Sequence, residues 1–294
     1  MKPSTFGYSR PESVAEAVRV LASIGPDGKV LAGGQSLVPL LNMRLAAPTH
    51  LVDINRLTEL AYISVSDSEV AVGALARHAD VLRDPLAAAA QPLLGQALRL
   101  VAHPVIRNRG TTVGSIVHAD PAGEMTAVLA LLGGSVRLMS TSGERFVAAK
   151  DFFLGPLESD TRSDELATEV TFPVLSASAG CAFAEVSRRL GDYAICGVAA
   201  LVELGADRRI SRARAAYLSV GPTPLVLDLG PACAGVSADA GRPDFAEAGR
   251  LVMGQLRPAG DIHATASYRR HLAGVLTERA LHEALAQAGE RAGG

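Results

Sequence analysis

The chain has 294 residues, 48% hydrophobic and 20% charged, with a net charge of −2. This composition fills the cores of more than one average domain and is not that of a disordered chain. Near-balanced charge, 4% aromatics and no Trp exclude a general nucleic-acid coat, which needs excess cations against phosphate and rings for base stacking.

Along the chain, Pro11 to Ile24 reads as a helix, with Val14, Val18, Leu21 and Ile24 at helical spacing and Gly25 after its end. Lys29 to Ala32 reads as a short strand running into Gly33-Gly34, and Ser36 opens a helical stretch from Leu37 to Leu45. Leu51 to Ile54 is the next strand. Ile63, Val65, Val70 and Val72 alternate around a polar turn and predict a hairpin. Pro92 to Val101 is helical, Arg107 to Thr112 a polar loop, and an apolar helix runs from Pro121 through Leu132. Strands follow at Val136–Met139, Arg145–Val147 and Leu166–Phe172. The Pro-containing stretch from Pro173 to Gly180 is the expected domain boundary. Beyond it, antiparallel strands are expected near Cys181–Arg189, Ala194–Leu204 and Ala213–Val220, then helices near Asp244–Leu256 and Ser267–Ala288. This mixed order predicts α+β architecture in both domains.

Met1 to Arg10 has no apolar run of a secretory signal, and no apolar stretch is long enough to span a bilayer. Cys181, Cys196 and Cys233 are far apart, so neither a disulfide framework nor a cluster of thiolate ligands is expected, and a reducing cytoplasm fits best. The seven histidines show no ligand spacing, and no metal site is predicted. G-x-G-x-x-G after a strand, the P-loop, H-E-x-x-H and G-x-S-x-G are all absent.

Two bends remain as candidates for chemistry. The first is Ala32-Gly33-Gly34-Gln35-Ser36, between a strand and a helix. The second runs from Arg109-Gly110 through Thr111, Thr112, Val113, Gly114 and Ser115, just before another helix. Small residues there let main-chain N–H groups approach a pyrophosphate. Read from residues alone, the same glycines also suit ordinary turns.

The stretch Ala32 to Pro39, with Met43-Arg44-Leu45-Ala46 and Leu51-Val52-Asp53-Ile54, resembles the flavoprotein (medium) subunit of molybdenum hydroxylases, the family of carbon-monoxide dehydrogenase and the N-heterocycle dehydrogenases. Ile106 to Ser115 with His118-Ala119-Asp120-Pro121 resembles its second FAD loop, and Ser187 to Ala194 with Gly197-Val198-Ala199 the start of its C-terminal domain. The resemblance implies an FAD-binding domain of the vanillyl-alcohol-oxidase type over residues 1–175, with subdomains of about 1–57 and 58–175. A C-terminal α+β domain over 176–294 completes it. Ala32 to Ser36 and Thr111 to Ser115 would grip the FAD pyrophosphate. Glu124 stands where a carboxylate takes hydroxyls of the cofactor, Leu166 where an aliphatic side chain packs on the flavin, and Tyr193 where a ring is turned toward it. Their plain alternatives are a solvated first-turn residue, a strand core residue and a strand-opening Tyr.

Val113 departs from the family, which usually has glycine there. A β-branched residue at positive φ is strained, so either that loop is weakened or Val113 points away and Gly114 alone permits close approach. Ser115 replaces a frequent Asn or Asp. Arg107, Arg109, Arg188 and Arg189 are available for phosphate or a partner, or for surface ion pairs. No general acid or base for substrate chemistry is assigned. The resemblance implies an electron-transfer subunit that assembles with two others. One is a small subunit with two two-iron two-sulfur clusters, and the other is a large subunit with molybdenum–molybdopterin cytosine dinucleotide, as a dimer of heterotrimers. A self-contained flavin oxidase and a flavin-free assembly module are the alternatives.

Overall fold

The computed structural model describes residues 2–293, which form one parallel and two antiparallel sheets plus a two-stranded ribbon. The first sheet comes from β1 (Gly7–Ser9), α1 (Val14–Ile24), β2 (Gly28–Leu31), α2 (Leu37–Asn42) and β3 (His50–Asp53), with strand order β1-β3-β2. The Ser13 side chain accepts from the Glu16 N–H, which satisfies an orphan donor of the first turn and starts α1 three residues after Pro11. Ala17, Val18 and Leu21 form its buried stripe. α2 stops at Asn42, shorter than the apolar spacing predicts, and Leu45 lies exposed beyond it.

The second sheet gathers β4 (Ile63–Val65) and β5 (Glu69–Gly73), then, past a run of helices, three later strands. The helices are α3 (His78–Arg83), α4 (Pro85–Ala90), α5 (Pro92–Leu100), α6 (Pro104–Arg107), α7 (Thr112–His118) and α8 (Glu124–Leu132). β6 (Ser135–Ser140), β7 (Gly143–Ala148), α9 (Ala149–Phe152), β8 (Phe153–Gly155), β9 (Glu158–Ser159) and β10 (Leu166–Pro173) follow. The antiparallel order is β4-β5-β10-β6-β7, so the last strand inserts between the early hairpin and β6. The sequence reading of Arg109 to Ser115 as a loop is corrected here. The hydroxyl of Thr111 caps the Gly114 N–H at 3.1 Å, and Thr112 to Ser115 are already the first turn of α7. α8 likewise begins at Glu124, after a tight Asp120–Gly123 turn.

The third sheet is a meander of β11 (Ala179–Ser187), β12 (Ala194–Leu204), β13 (Ile210–Leu218) and β14 (Leu225–Asp228). α10 (Gly230–Cys233), α11 (Ala246–Gln255) and the 26-residue α12 (Ala266–Arg291) follow. Both faces of β12 are covered. Ala199 and Leu201 join the core shared with α5 and α8, while Val198, Ala200 and Val202 join a second core with α11 and α12. Period-2 alternation thus sends one set to each side. Ser219 N–H donates to Pro121 O at 2.8 Å, and Gln96 Nε2 to Cys181 O at 3.2 Å, which ties this sheet to the preceding helices. The three cysteines are buried and unpaired. Among the described residues no helix is long and apolar enough to cross a membrane.

Candidate functional site

The first bend leaves β2 and turns at Gly34, whose φ of 73° lies in the left-handed region that favours glycine. Gln35 Nε2 reaches back to Gly33 O at 3.2 Å, and Val38 N–H closes the turn onto Gly34 O at 3.0 Å. Among the described residues no acceptor takes the main-chain N–H of Gly33, Gly34, Gln35 or Ser36. Four adjacent donors without partners form the kind of concave amide cradle that suits an anion.

The two bends meet. A Cβ on Gly33 would overlap Arg109 O and stand 2.8 Å from Gly110 Cα, so only glycine allows this approach. A polar girder stands behind them. Arg77 donates to Arg109 O and to Asn55 Oδ1, both at 2.8 Å, and Asn55 Nδ2 donates to Ala32 O at 2.9 Å. Asp53 takes the Asn55 N–H and Nδ2, and the Tyr8 hydroxyl donates to its other oxygen. Burial works against the Asp53 charge, but the bonds from Tyr8 and Asn55 hold its carboxyl below the usual range. One guanidinium and one amide therefore fix the separation of the bends.

Thr111 to Ser115 contribute main chain rather than side chains. The Thr111 hydroxyl is spent on the cap, and the Thr112 hydroxyl lies 3.2 Å from His78 Nδ1. Val113 is 2% exposed, its side chain in the core, and it is helical rather than at positive φ. Of the two readings of Val113, the structure shows the one in which it points away. Its N–H has no acceptor among the described residues and stands at the positive end of α7. His78 is buried, and burial, then the Arg107 charge, pushes its imidazole down to about 4, so it is neutral at pH 7.

Glu124 opens α8, three residues later than the apolar pattern predicts, and it is 9% exposed rather than solvated. Burial, then the Glu185 carboxyl, pushes it up to about 8. Tyr193 is 64% exposed beside a cleft of about 590 Å³ between the Asp120–Ala122 turn and Ser219–Pro222. Its phenol is raised by partial burial, then by Asp120 and Glu124, and Asp120 lines the same cleft. Leu166 is 1% exposed at the start of β10, opposite Met139, and sits inside the core. Arg188 and Arg189 both pair with Asp192, and Arg107 donates to the carbonyls of Val101 and Ala102, so three of the four arginines are spent within the chain. Among the described residues no group of three His, Cys, Asp or Glu side chains is placed to hold a metal ion.

Sequence reasoning missed Tyr8, Asn55, Arg77, His78 and Glu185. Asn55 follows the Leu51-Val52-Asp53-Ile54 segment directly and was within reach of that motif. Arg77 and His78 carry no local signal, because only the docking of α3 against the second bend gives them a role.

Residues 4–175 match the family model described as the FAD binding domain in molybdopterin dehydrogenase, and residues 181–284 match the CO dehydrogenase flavoprotein C-terminal domain. The chain is 41% identical to the 6-hydroxypseudooxynicotine dehydrogenase complex subunit alpha of Paenarthrobacter nicotinovorans, over 98% of this chain and 97% of that one. Among solved structures it resembles a chain of carbon monoxide dehydrogenase from Hydrogenophaga pseudoflava, with TM-score 0.89 and 35% identity over 98% and 99% of the two chains. A chain of quinoline 2-oxidoreductase from Pseudomonas putida 86 superposes with TM-score 0.90 at 35% identity, over 99% and 100%.

Proposed function

Because the chain belongs to the family of FAD-binding medium subunits of molybdenum hydroxylases, we propose that it holds FAD across its two bends and relays electrons from partner iron–sulfur clusters to an external acceptor. The observation that carries this reading is the row of four unpartnered N–H groups at Gly33 to Ser36, packed through Gly33 against Arg109 and Gly110, just before α7. A diphosphate fits such a cradle because it is anionic and needs short donors without side-chain bulk. Bound flavin supplies the two-electron chemistry that no side chain of this protein offers.

The protein's own part is to bind, orient and shield. Ala32 to Ser36 and Thr111 to Ser115 give main-chain contacts, and Arg77 adds a half-buried positive charge behind them. Glu124 is assigned to cofactor hydroxyls, Leu166 to the wall behind the ring system, and Tyr193 to the ring's open side. The division at residue 175, with subdomains of about 1–57 and 58–175, accords with the change from parallel to antiparallel sheet and with the two family spans. The partners on this reading are a small subunit with two two-iron two-sulfur clusters and a large subunit with molybdenum–molybdopterin cytosine dinucleotide, as a dimer of heterotrimers in the cytoplasm. A flavin-free module loses its main argument, since Val113 fills the core and not the bend.

The test is purification with the neighbouring subunits, followed by visible spectroscopy of the isolated chain. The expected result is oxidised-flavin absorption released on denaturation, and a complex of three polypeptides. A colourless chain that takes up no added FAD overturns the reading.

A further inference from the structure

Ser219 follows β13 with a φ of 61°, in the left-handed region where a backbone other than glycine is strained. Its three polar groups are all spent on other elements. The N–H donates to Pro121 O at 2.8 Å, in the turn before α8, and the hydroxyl donates to Ala194 O at 2.6 Å, at the start of β12. The carbonyl accepts from Arg269 Nη1 at 3.0 Å. A strained residue bonded to three elements at once is held by its surroundings and not by its own preference.

Arg269, in the first turn of α12, is 7% exposed. Its Nη1 also donates to Ile195 O, and its Nη2 to Asp261 Oδ2, both at 2.6 Å. Asp261 is fixed in turn, because its other oxygen accepts from the N–H groups of His263 and Ala264 at 2.8 and 2.9 Å. A buried guanidinium adds little stability over a packed apolar side chain of its size. What the apolar side chain lacks is the fork, which here holds the start of β12 and the end of β13 at one spacing. These bonds shape a wall of the cleft of about 590 Å³ that Asp120, Pro121, Tyr193, Ile195, Ser219 and Arg269 line.

We propose that Ser219 and Arg269 are positioning residues, a clasp that ties the start of β12 to the Asp120–Gly123 turn so that the Tyr193 ring meets the flavin in one orientation. This rests on the FAD reading given above. Tyr193 directly precedes Ala194, so the bonds to the carbonyls of Ala194 and Ile195 fix the strand from which its ring projects. At 64% exposed, the ring is open to a planar partner. The cleft begins where α7 ends, and the second bend forms the first turn of that seven-residue helix. Bend and cleft therefore lie about 10 Å apart along α7, a span that the polyol chain between the diphosphate and the ring of FAD bridges.

The experiment loads the full-length chain with FAD, removes the excess by gel filtration and measures fluorescence per bound flavin, which a phenol stacked on the ring quenches. The proteins are the wild type, Ser219→Ala, Ser219→Gly, Arg269→Lys, Tyr193→Ala and the double variant of Ser219→Ala with Tyr193→Ala. Tyr217→Phe, which removes a 2.8 Å bond to Thr277 in the second core, controls for lost stability alone. Ser219→Ala and Arg269→Lys should each raise the fluorescence about threefold or more, because one lost hydrogen bond shifts a two-state population about fivefold. Ser219→Gly relieves the strained φ, so it should unfold no earlier than Ser219→Ala and yet raise the fluorescence at least as much. Tyr193→Ala should raise it as far, and Ser219→Ala should add nothing in that background. Should Arg269→Lys fail to fold, the two Ser219 variants decide. Wild-type fluorescence in Ser219→Ala, a further rise when it is added to Tyr193→Ala, or an equal rise in Tyr217→Phe overturns the clasp. Wild-type fluorescence in Tyr193→Ala overturns it too, while leaving the FAD reading intact. A wild type that takes up no FAD overturns both.

Discussion

Gly33 lies with its Cα against Arg109 O and Gly110, so alanine there forces the two bends apart. Gly33→Ala is expected to lower FAD affinity at least tenfold and to cost about 1–3 kcal/mol of stability, the range for overpacking. Flavin-to-protein absorbance ratios and urea unfolding measure the two effects separately. His78 gives a pH signature. Its folded pKa of about 4 lies below the ordinary 6.5, so the unfolded chain binds the proton more readily. Stability is therefore undiminished above about pH 6.5 and falls as pH drops toward 4, by on the order of 3 kcal/mol. Denaturant melts across that window, repeated on His78→Gln, should show the acid loss shrink in the variant. Val113 marks the limit of reading residues one at a time. Its type was plain in the sequence, but whether it faced the bend depended on Thr111 capping α7, which turns the second position of that helix into the core.

At the scale of elements, contact between α12 and β11 depends on small residues. A side chain on Gly180 would overlap Ala284 O and crowd Ala288 N, so the helix lies directly on the strand backbone. Gly180→Val is expected to push α12 off the sheet and cost 3 kcal/mol or more by strain and lost burial, on the order of the larger single-residue effects. A lower unfolding midpoint with unchanged far-ultraviolet circular dichroism before the transition is the expected result. Longer elements were legible because their periodicity is repeated: α1, α5, β10, β12 and α12 fall within a few residues of their predicted bounds. Several of the short ones were not, although β2, β3 and the β4–β5 hairpin were. β1, α3, β9 and β14 have two to six residues each, too few for a period to emerge, and they form because neighbours offer them a partner. The helical start of α7 was hidden for another reason. Gly, Thr and Ser suit turns and helix caps alike, and which is realised depends on the strand-like bridge between Arg77 and Thr111.

In the whole molecule, the sheets share one continuous core from α1 to β13, and the third sheet has a second core behind it. The alternation in β12 was visible as an apolar run, but it did not reveal that both faces are covered. A two-sided strand and a buried helix segment look alike until their neighbours are known. The polar girder from Tyr8 to Arg77 belongs to this scale as well, since its hydrogen bonds join residues up to 45 positions apart. That rear core also bears on biosynthesis. Its sheet leaves the ribosome well before α12, so for the interval in which the last 26-residue helix is translated, Val198, Ala200 and Val202 present a bare oily surface to the cell. Translation at roughly 5–20 residues per second makes that interval seconds long. A nascent chain stalled before Ala266 is thus a natural client for holding chaperones, and release into solution depends on the final helix closing over the back of the sheet.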